Sequence, residues 1–156
     1  MTGHLKPFAI IYRLNTASQN TIYDHLVRCS SNFEPRLDSY VNIKSYSEKI
    51  YSIAERVEAW DQGHLIGLLA VYLNDYENKE GFITNVSVEK EYHGQSIGSE
   101  LVRRCLSLAA SKDFNSVKLE VFTTNSAAIN LYRKFGFVTE LKEGQKIIMR
   151  WLNNGN

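Results

Sequence analysis

Hydrophobic positions along the chain switch between two periods, and the switches mark out the elements. Residues 8–13 hold Phe8, Ile10, Ile11 and Tyr12, a short β-branched and aromatic run that predicts a first strand. Ile22, Leu26 and Cys29 then recur at helical spacing, with Thr16 or Ser18 placed to cap a helix that runs to about Cys29. Residues 31–37 contain Pro35 and read as a loop. Within 40–54, Ile43, Tyr46, Ile50 and Tyr51 have the spacing of a second helix. Residues 56–60 and 64–73 read as two strands joined by Asp61-Gln62-Gly63, a hairpin signal. Residues 74–81 are polar and read as a loop.

The second half is more regular. From Gly81 to Val88 the period is two, which puts Phe82, Thr84, Val86 and Val88 on one face and Ile83, Asn85 and Ser87 on the other. A helix is predicted from about Ser96 to Lys112, with a stripe of Ile97, Leu101, Cys105 and Leu108 flanked by Val102, Leu106 and Ala109. Residues 116–123 form a strand with Val117, Leu119 and Val121 on one face. Asn125 caps a short helix that stops at Gly136, where a left-handed residue is expected. Residues 137–141 and 146–152 close as a hairpin around Glu143-Gly144. Seven strands and four helices in this order mix hairpins with crossovers. That predicts an α+β fold with a mixed sheet, not a regularly alternating dinucleotide-binding fold.

Composition narrows the classes. A chain of 156 residues is expected to be a single domain, 1–156, with a real core. A formal net charge of +1 argues against nucleic acid or a membrane surface as the main partner. Cys29 and Cys105 both fall in helix-like contexts and are expected to be a reduced pair, and no Cys/His spacing suits a metal. His4, His25 and His64 are scattered, which suggests structural or surface roles. Residues 1–7 lack the apolar stretch of a signal peptide, and the longest apolar run, 65–73, is broken by Gly67 and too short to span a bilayer. Together these predict a cytoplasmic location.

Two segments carry the chemistry. Tyr92-His93-Gly94-Gln95-Ser96-Ile97-Gly98-Ser99 is a small-residue turn between a strand and a helix, able to hold an anion on free N–H groups. It is equally readable as a plain strand-to-helix loop. Residues 125–137 put Asn125 at a helix start and Tyr132 near its end, directly after a strand. Asn125 reads as an N-cap, and Tyr132 as either a core aromatic or a phenol that moves a proton.

The pair of segments resembles the GNAT superfamily of acetyl-CoA-dependent N-acyltransferases. The family turn is Gln/Arg-x-x-Gly-x-Gly/Ala. His93 stands at the Gln/Arg place, Ser96 at the first Gly and Gly98 at the second, so two of the three positions depart from the pattern. Asn125-x-x-Ala128-x-x-x-Tyr132-x-x-x-Gly136-Phe137 is similar to the family's C-terminal signature, and the motif-bearing core covers about 82–137. The resemblance implies a GNAT-like, mostly antiparallel sheet of about seven strands flanked by about four helices.

It also implies a site. Backbone groups of Val86, Ser87 and Val88 would pair with pantetheine, in a gap where the fourth and fifth strands splay apart. The N–H groups of His93, Gly94, Gln95, Ser96, Ile97, Gly98 and Ser99 would hold the pyrophosphate, and Asn125 the cofactor arm. Tyr132 would be the general acid beside the leaving sulfur. Glu120, twelve positions earlier, resembles the base of the ribosomal-protein N-terminal acetyltransferase branch. Glu120 also reads as a solvated strand residue beside Lys118, and Glu80 or a water chain are the other bases to weigh. Acetyl-CoA enters as a co-substrate, with no metal, and a primary amine attacks it directly. The acceptor is open: small amine, peptide N-terminus or lysine. A Tyr-rich first half, including Tyr23, Tyr40, Tyr46, Tyr51, Tyr72 and Tyr76, offers lining for a compact ligand, together with Asn74 and Asp75, or simply packs. A homodimer is compatible with the family. The rival reading is a GNAT-fold sensor or partner-binding protein that holds acetyl-CoA without turnover.

Overall fold

The computed structural model describes residues 9–154. Among them lie seven strands: β1 (Ile10–Leu14), β2 (Glu55–Asp61), β3 (His64–Tyr72), β4 (Glu80–Val88), β5 (Ser116–Phe122), β6 (Val138–Glu143) and β7 (Lys146–Leu152). The helices are α1 (Gln19–Cys29), α2 (Ile43–Ile53), α3 (Ile97–Ser111) and α4 (Ser126–Lys134). The strands form one sheet in the order β1-β2-β3-β4-β5-β7-β6, antiparallel throughout except for β4 beside β5. The order and type of elements follow the expected pattern. Phe8, placed in the first strand from sequence, lies outside the described residues, as does the stretch 1–7.

Local chemistry accounts for the boundaries. The Ser18 side chain accepts from Thr21 N at the start of α1, and Asn42 does the same for Ser45 N at α2. The β2–β3 turn needs two positive φ angles, supplied by Gln62 (51°) and Gly63 (77°). The loop expected at 31–37 is tighter than predicted: it holds short 3₁₀ turns at Ser30–Asn32 and Leu37–Ser39 on either side of Pro35. Glu58 is fully buried in β2 and ties down the chain before α1, accepting from the N–H groups of Thr16 and Ala17 and from Trp60 Nε1.

The sheet separates two apolar layers. One packs Ile22, Leu26 and Ile50 of α1 and α2 against Leu65, Leu68 and Ala70 of β3. The other packs Ile97, Leu101, Val102 and Cys105 of α3 and Ile129 and Tyr132 of α4 against Leu69, Val71, Ile83, Leu119 and Val121. Cys29 and Cys105 are both free and buried.

One sequence expectation fails in β4, and the failure shapes the site. The register runs Ala70↔Asn85 and then Val71↔Ile83, so Thr84 is an extra residue in β4. A bulge flips the alternation on either side of it. Ile83, Val86 and Val88 therefore share the face of Val71, Leu69 and Gly67, while Phe82, Asn85 and Ser87 share the face of Tyr72, Ala70 and Leu68. The bulged Thr84 is held from below by Tyr46 of α2, whose hydroxyl donates to Thr84 O (2.6 Å) and lies 2.8 Å from Thr84 Oγ1.

Candidate active site

The same bulge ends the pairing of β4 with β5. Their parallel ladder runs from Glu80↔Ser116 to Ile83↔Leu119 and stops, although both strands continue. Beyond that point the two strands diverge around a groove. Glu89 N bonds to Ile66 O across β3, so by strand alternation Val88 and Val86 turn their backbone groups away from β3 and into the groove. These are donors and acceptors of the kind an added strand can pair with. The Val88 carbonyl is already engaged: His93 Nε2 lies 2.8 Å from it.

The groove has two ends. On the α3–α4 side a cavity of about 510 Å³ is lined by Val86, Val88, Tyr92, His93, Gly94, Ser96, Ile97, Gly98, Ser99, Ala127, Ala128 and Leu131. On the α1–α2 side a cavity of about 300 Å³ is lined by residues that include Phe33, Glu34, Leu37, Tyr40, Tyr46, Thr84, Asn85, Glu120, Asn125, Tyr132 and Lys146. Val86 and Ala128 line both, so the cavities meet at the splay.

The α3 end is built from backbone. Gly94 (φ 81°) and Ser96 (φ 62°) are both left-handed, which winds the chain so that α3 starts at the cavity wall. Ser96 makes no side-chain capping bond, so the first N–H groups of α3 are not closed off by it. Gly98, in the first turn, keeps the wall bare. A Cβ there would meet only Leu131 Cδ2 at 3.5 Å. Lys134, in the last turn of α4, donates to Ser99 Oγ (2.9 Å) and adds a positive charge beside this turn. Sequence reasoning missed Lys134. Its signal was a cation at the last position of α4, four residues before β6 begins, legible only once α4 is known to pack against the start of α3.

The α1–α2 end is built from side chains. Tyr132 is 7 % exposed and packs its ring 5.6 Å from Phe137. Burial, with Cys105 nearby, pushes its phenol well above the ordinary value, so it stays protonated. It is both a core aromatic and a cavity residue. Asn125 Oδ1 caps α4 by accepting from Ala128 N (3.2 Å), and the residue faces the same cavity. Glu120 lines the mouth and lies 3.7 Å from Lys146 Nζ. Glu80 is elsewhere. It is tied to Arg150, Ser116 and Lys118 at the closed end of the β4–β5 ladder. That ion cluster removes Glu80 from the groove. Of the tyrosines and polar residues named as candidate lining, Tyr40 and Tyr46 face the cavity; Tyr23, Tyr51, Tyr72, Asn74, Asp75 and Tyr76 do not.

His25, read from sequence as structural or surface, is fully buried. Burial, then Arg28, pull its ring down to about 4, so it is neutral at pH 7. Both thiols are pushed up to about 12 by burial, and neither lines the groove. Among the described residues no helix is long and apolar enough to cross a membrane.

Comparison with known proteins places this geometry. Residues 20–137 match the model of the family described as "Acetyltransferase (GNAT) family". A Bacillus subtilis protein named putative [ribosomal protein bS18]-alanine N-acetyltransferase is 38% identical over 74 residues, 47% of this chain and 47% of that protein. The matched stretch thus spans about half the length of that relative, and similar shares of other curated relatives. In fold, the chain is similar to a Thermoplasma acidophilum PaiA N-acetyltransferase solved with coenzyme A, at TM-score 0.73 and 18% identity over 93% of this chain and 99% of that one. It is also similar to the Escherichia coli ribosomal-protein-S18-alanine N-acetyltransferase, at TM-score 0.73 and 17% identity over 91% of this chain and 94% of that one.

Proposed function

The chain belongs to the GNAT acetyltransferase family, and from that premise we propose that it is an acetyl-CoA-dependent N-acetyltransferase acting in the cytoplasm as one domain, residues 1–156. It transfers acetyl to a primary amine, either on a small molecule or on a peptide N-terminus. The observation that carries this reading is the divergence of β4 from β5 after Ile83↔Leu119, with Tyr132 and Asn125 facing the gap.

The residues present fit the co-substrate. Backbone groups of Val86 and Val88 are turned into the groove, and the Gly94–Ser99 turn offers N–H groups on a wall without bulky side chains. In this reading Val86 and Val88 bind the pantetheine arm, with Ser87 between them keeping their alternation. His93 to Ser99 hold the pyrophosphate with Lys134 nearby, and Asn125 contacts the arm. Acetyl-CoA supplies an acetyl thioester with a thiolate leaving group.

The chain's own groups do the rest. An attacking alkylamine has to lose a proton, since its ordinary pKa is near ~10. Glu120, at the open mouth, accepts that proton directly or through water. Tyr132 Oη donates a hydrogen bond to the sulfur. Its raised pKa makes it a persistent donor and a poor base. Both cysteines are buried, protonated and outside the groove, which supports direct attack without an acyl-enzyme.

The test is release of CoA from acetyl-CoA as a function of added primary amine. Amine-dependent release is expected. A second reading, binding of acetyl-CoA without turnover, is favoured by one observation: His93 occupies the Val88 carbonyl that a bound arm would otherwise use. Tight acetyl-CoA binding with no release across an amine panel would select that reading.

A further inference from the structure

The bulge that opens the groove also turns a polar side chain into its acceptor end. Asn85 is 3 % exposed, lines the α1–α2 cavity, and its Nδ2 has no hydrogen-bond partner. A buried amide N–H without a partner is costly. Such groups are rare enough in folded proteins that each calls for an explanation.

The orientation of that amide is fixed by its neighbours. Ser87 Oγ donates to Asn85 Oδ1 (2.8 Å), which uses the single Ser87 proton. His25 Nε2, 2.9 Å from the same Oγ, must therefore be the protonated nitrogen and donate to it. On its other side Asn85 lies beside the Tyr46 hydroxyl, whose proton is committed to Thr84 O. Tyr46 can show Asn85 only a lone pair, which faces one Nδ2 proton, so the amide edge toward Tyr46 and the cavity is NH₂ and not C=O, and the second N–H is left for the cavity. The string His25, Ser87, Asn85 thus has one direction and ends in donors.

We propose that Asn85 is a specificity residue of the acceptor site, its Nδ2 hydrogen-bonding an sp² oxygen, carbonyl or carboxylate, carried next to the attacking amine. Ser87 and His25 are positioning residues that keep the amide from turning over. The site would favour an amine bearing such an oxygen on the adjacent carbon over a bare alkylamine. This rests on the transferase reading for its activity test but not for its binding test.

Three amines differ only in the group beside the aminomethyl carbon: glycinamide, glycine and ethylamine. In wild type and in Asn85→Leu, kcat/KM is measured for each by CoA release. The ratio of glycinamide or glycine to ethylamine is expected to fall 10- to 100-fold in Asn85→Leu, the range of a lost hydrogen bond to a buried partner. A larger fall for glycinamide marks the carbonyl as the preferred oxygen, and a larger fall for glycine marks the carboxylate. Ser87→Ala, which keeps Asn85 but frees its Oδ1, should lower the ratio partway and serves if Asn85→Leu does not fold. Ratios unchanged in both variants would overturn the proposal.

A second readout does not need turnover. The Asn85 side-chain ¹⁵N–¹H signals of the acetyl-CoA-saturated protein should move with glycinamide or glycine and not with ethylamine. Equal movement with all three, or none with any, contradicts the proposal even if the protein proves to be a sensor. Movement with the oxygen-bearing amines but no CoA release would sustain it and reject the transferase reading alone.

Discussion

The two ends of the groove are made of different material. At the α3 end the wall is backbone, Gly94 to Ser99, shaped by two left-handed residues and helped by one lysine. At the α1–α2 end the wall is side chains: Tyr40, Tyr46, Asn85, Glu120, Tyr132 and Lys146. Backbone N–H groups at a helix start do not titrate and fit one invariant ligand part, a phosphate. Side chains can be exchanged one at a time, which is how one frame can serve different acceptors. The comparison predicts that changes at the first end alter co-substrate binding, and that changes at the second alter rate, selectivity and pH dependence.

The largest expected effect breaks the first end alone. Gly98→Val should abolish acetyl-CoA binding by calorimetry, because the branched side chain fills the bare wall. The added Cβ itself makes ordinary contact with Leu131, so thermal stability without ligand should change little. Unchanged affinity would mean that the turn is only a loop. Next is Tyr132→Phe, which removes one hydroxyl from the second end. We expect kcat to fall on the order of 10²-fold with acetyl-CoA affinity retained. Full activity would leave Tyr132 as packing only.

A stability effect follows from the same asymmetry. His25 is neutral when folded, with its ring held near 4, but takes a proton below about 6.5 when unfolded. The unfolded chain therefore binds more protons between these values. Stability is fully present above about 6.5, falls as pH drops from there toward 4, and levels off below. The loss from this group is on the order of 3 kcal/mol at most. Urea midpoints of wild type should fall more steeply over this window than those of His25→Gln. Parallel pH dependences would contradict the assignment. Glu120→Gln is expected to lower kcat/KM and to remove or shift the acidic limb of its pH profile. An identical profile would pass the role of base to water.

How much of this was legible in sequence depends on whether local pattern or long-range contact decided it. Caps at Ser18 and Asn125, the Gln62-Gly63 turn and the α3 stripe are local, and the element order could be read from them. The β4 faces could not, because nothing in Gly81–Val88 marks Thr84 as the extra residue. The bulge is fixed by register against β3 and by Tyr46, 38 positions away. The same holds for the site. Tyr132 and Asn125 stand in a recognisable spacing, while Asn85, Phe33, Glu34 and Lys146 reach the groove only through tertiary folding. His25 looked unremarkable because its partner Ser87 is 62 residues distant.

The smallest predicted effect sharpens the first end. Ser96 holds φ 62° without a capping bond, a conformation that costs a residue with a Cβ roughly 1–2 kcal/mol. Ser96→Gly relieves this at the expense of a freer unfolded chain, so we expect a gain within about 1 kcal/mol. Acetyl-CoA affinity should be equal or tighter. Weaker binding would show that the Ser96 hydroxyl itself contacts the ligand.

The central claim is that both ends are filled together and that acetyl crosses the splay in one step. It is tested most directly by initial rates with acetyl-CoA and an active amine varied against each other. Because no thiol faces the groove, the account predicts double-reciprocal lines that intersect, the pattern of a ternary complex. Parallel lines, with acetyl recovered on the protein after mixing with acetyl-CoA alone, would contradict it.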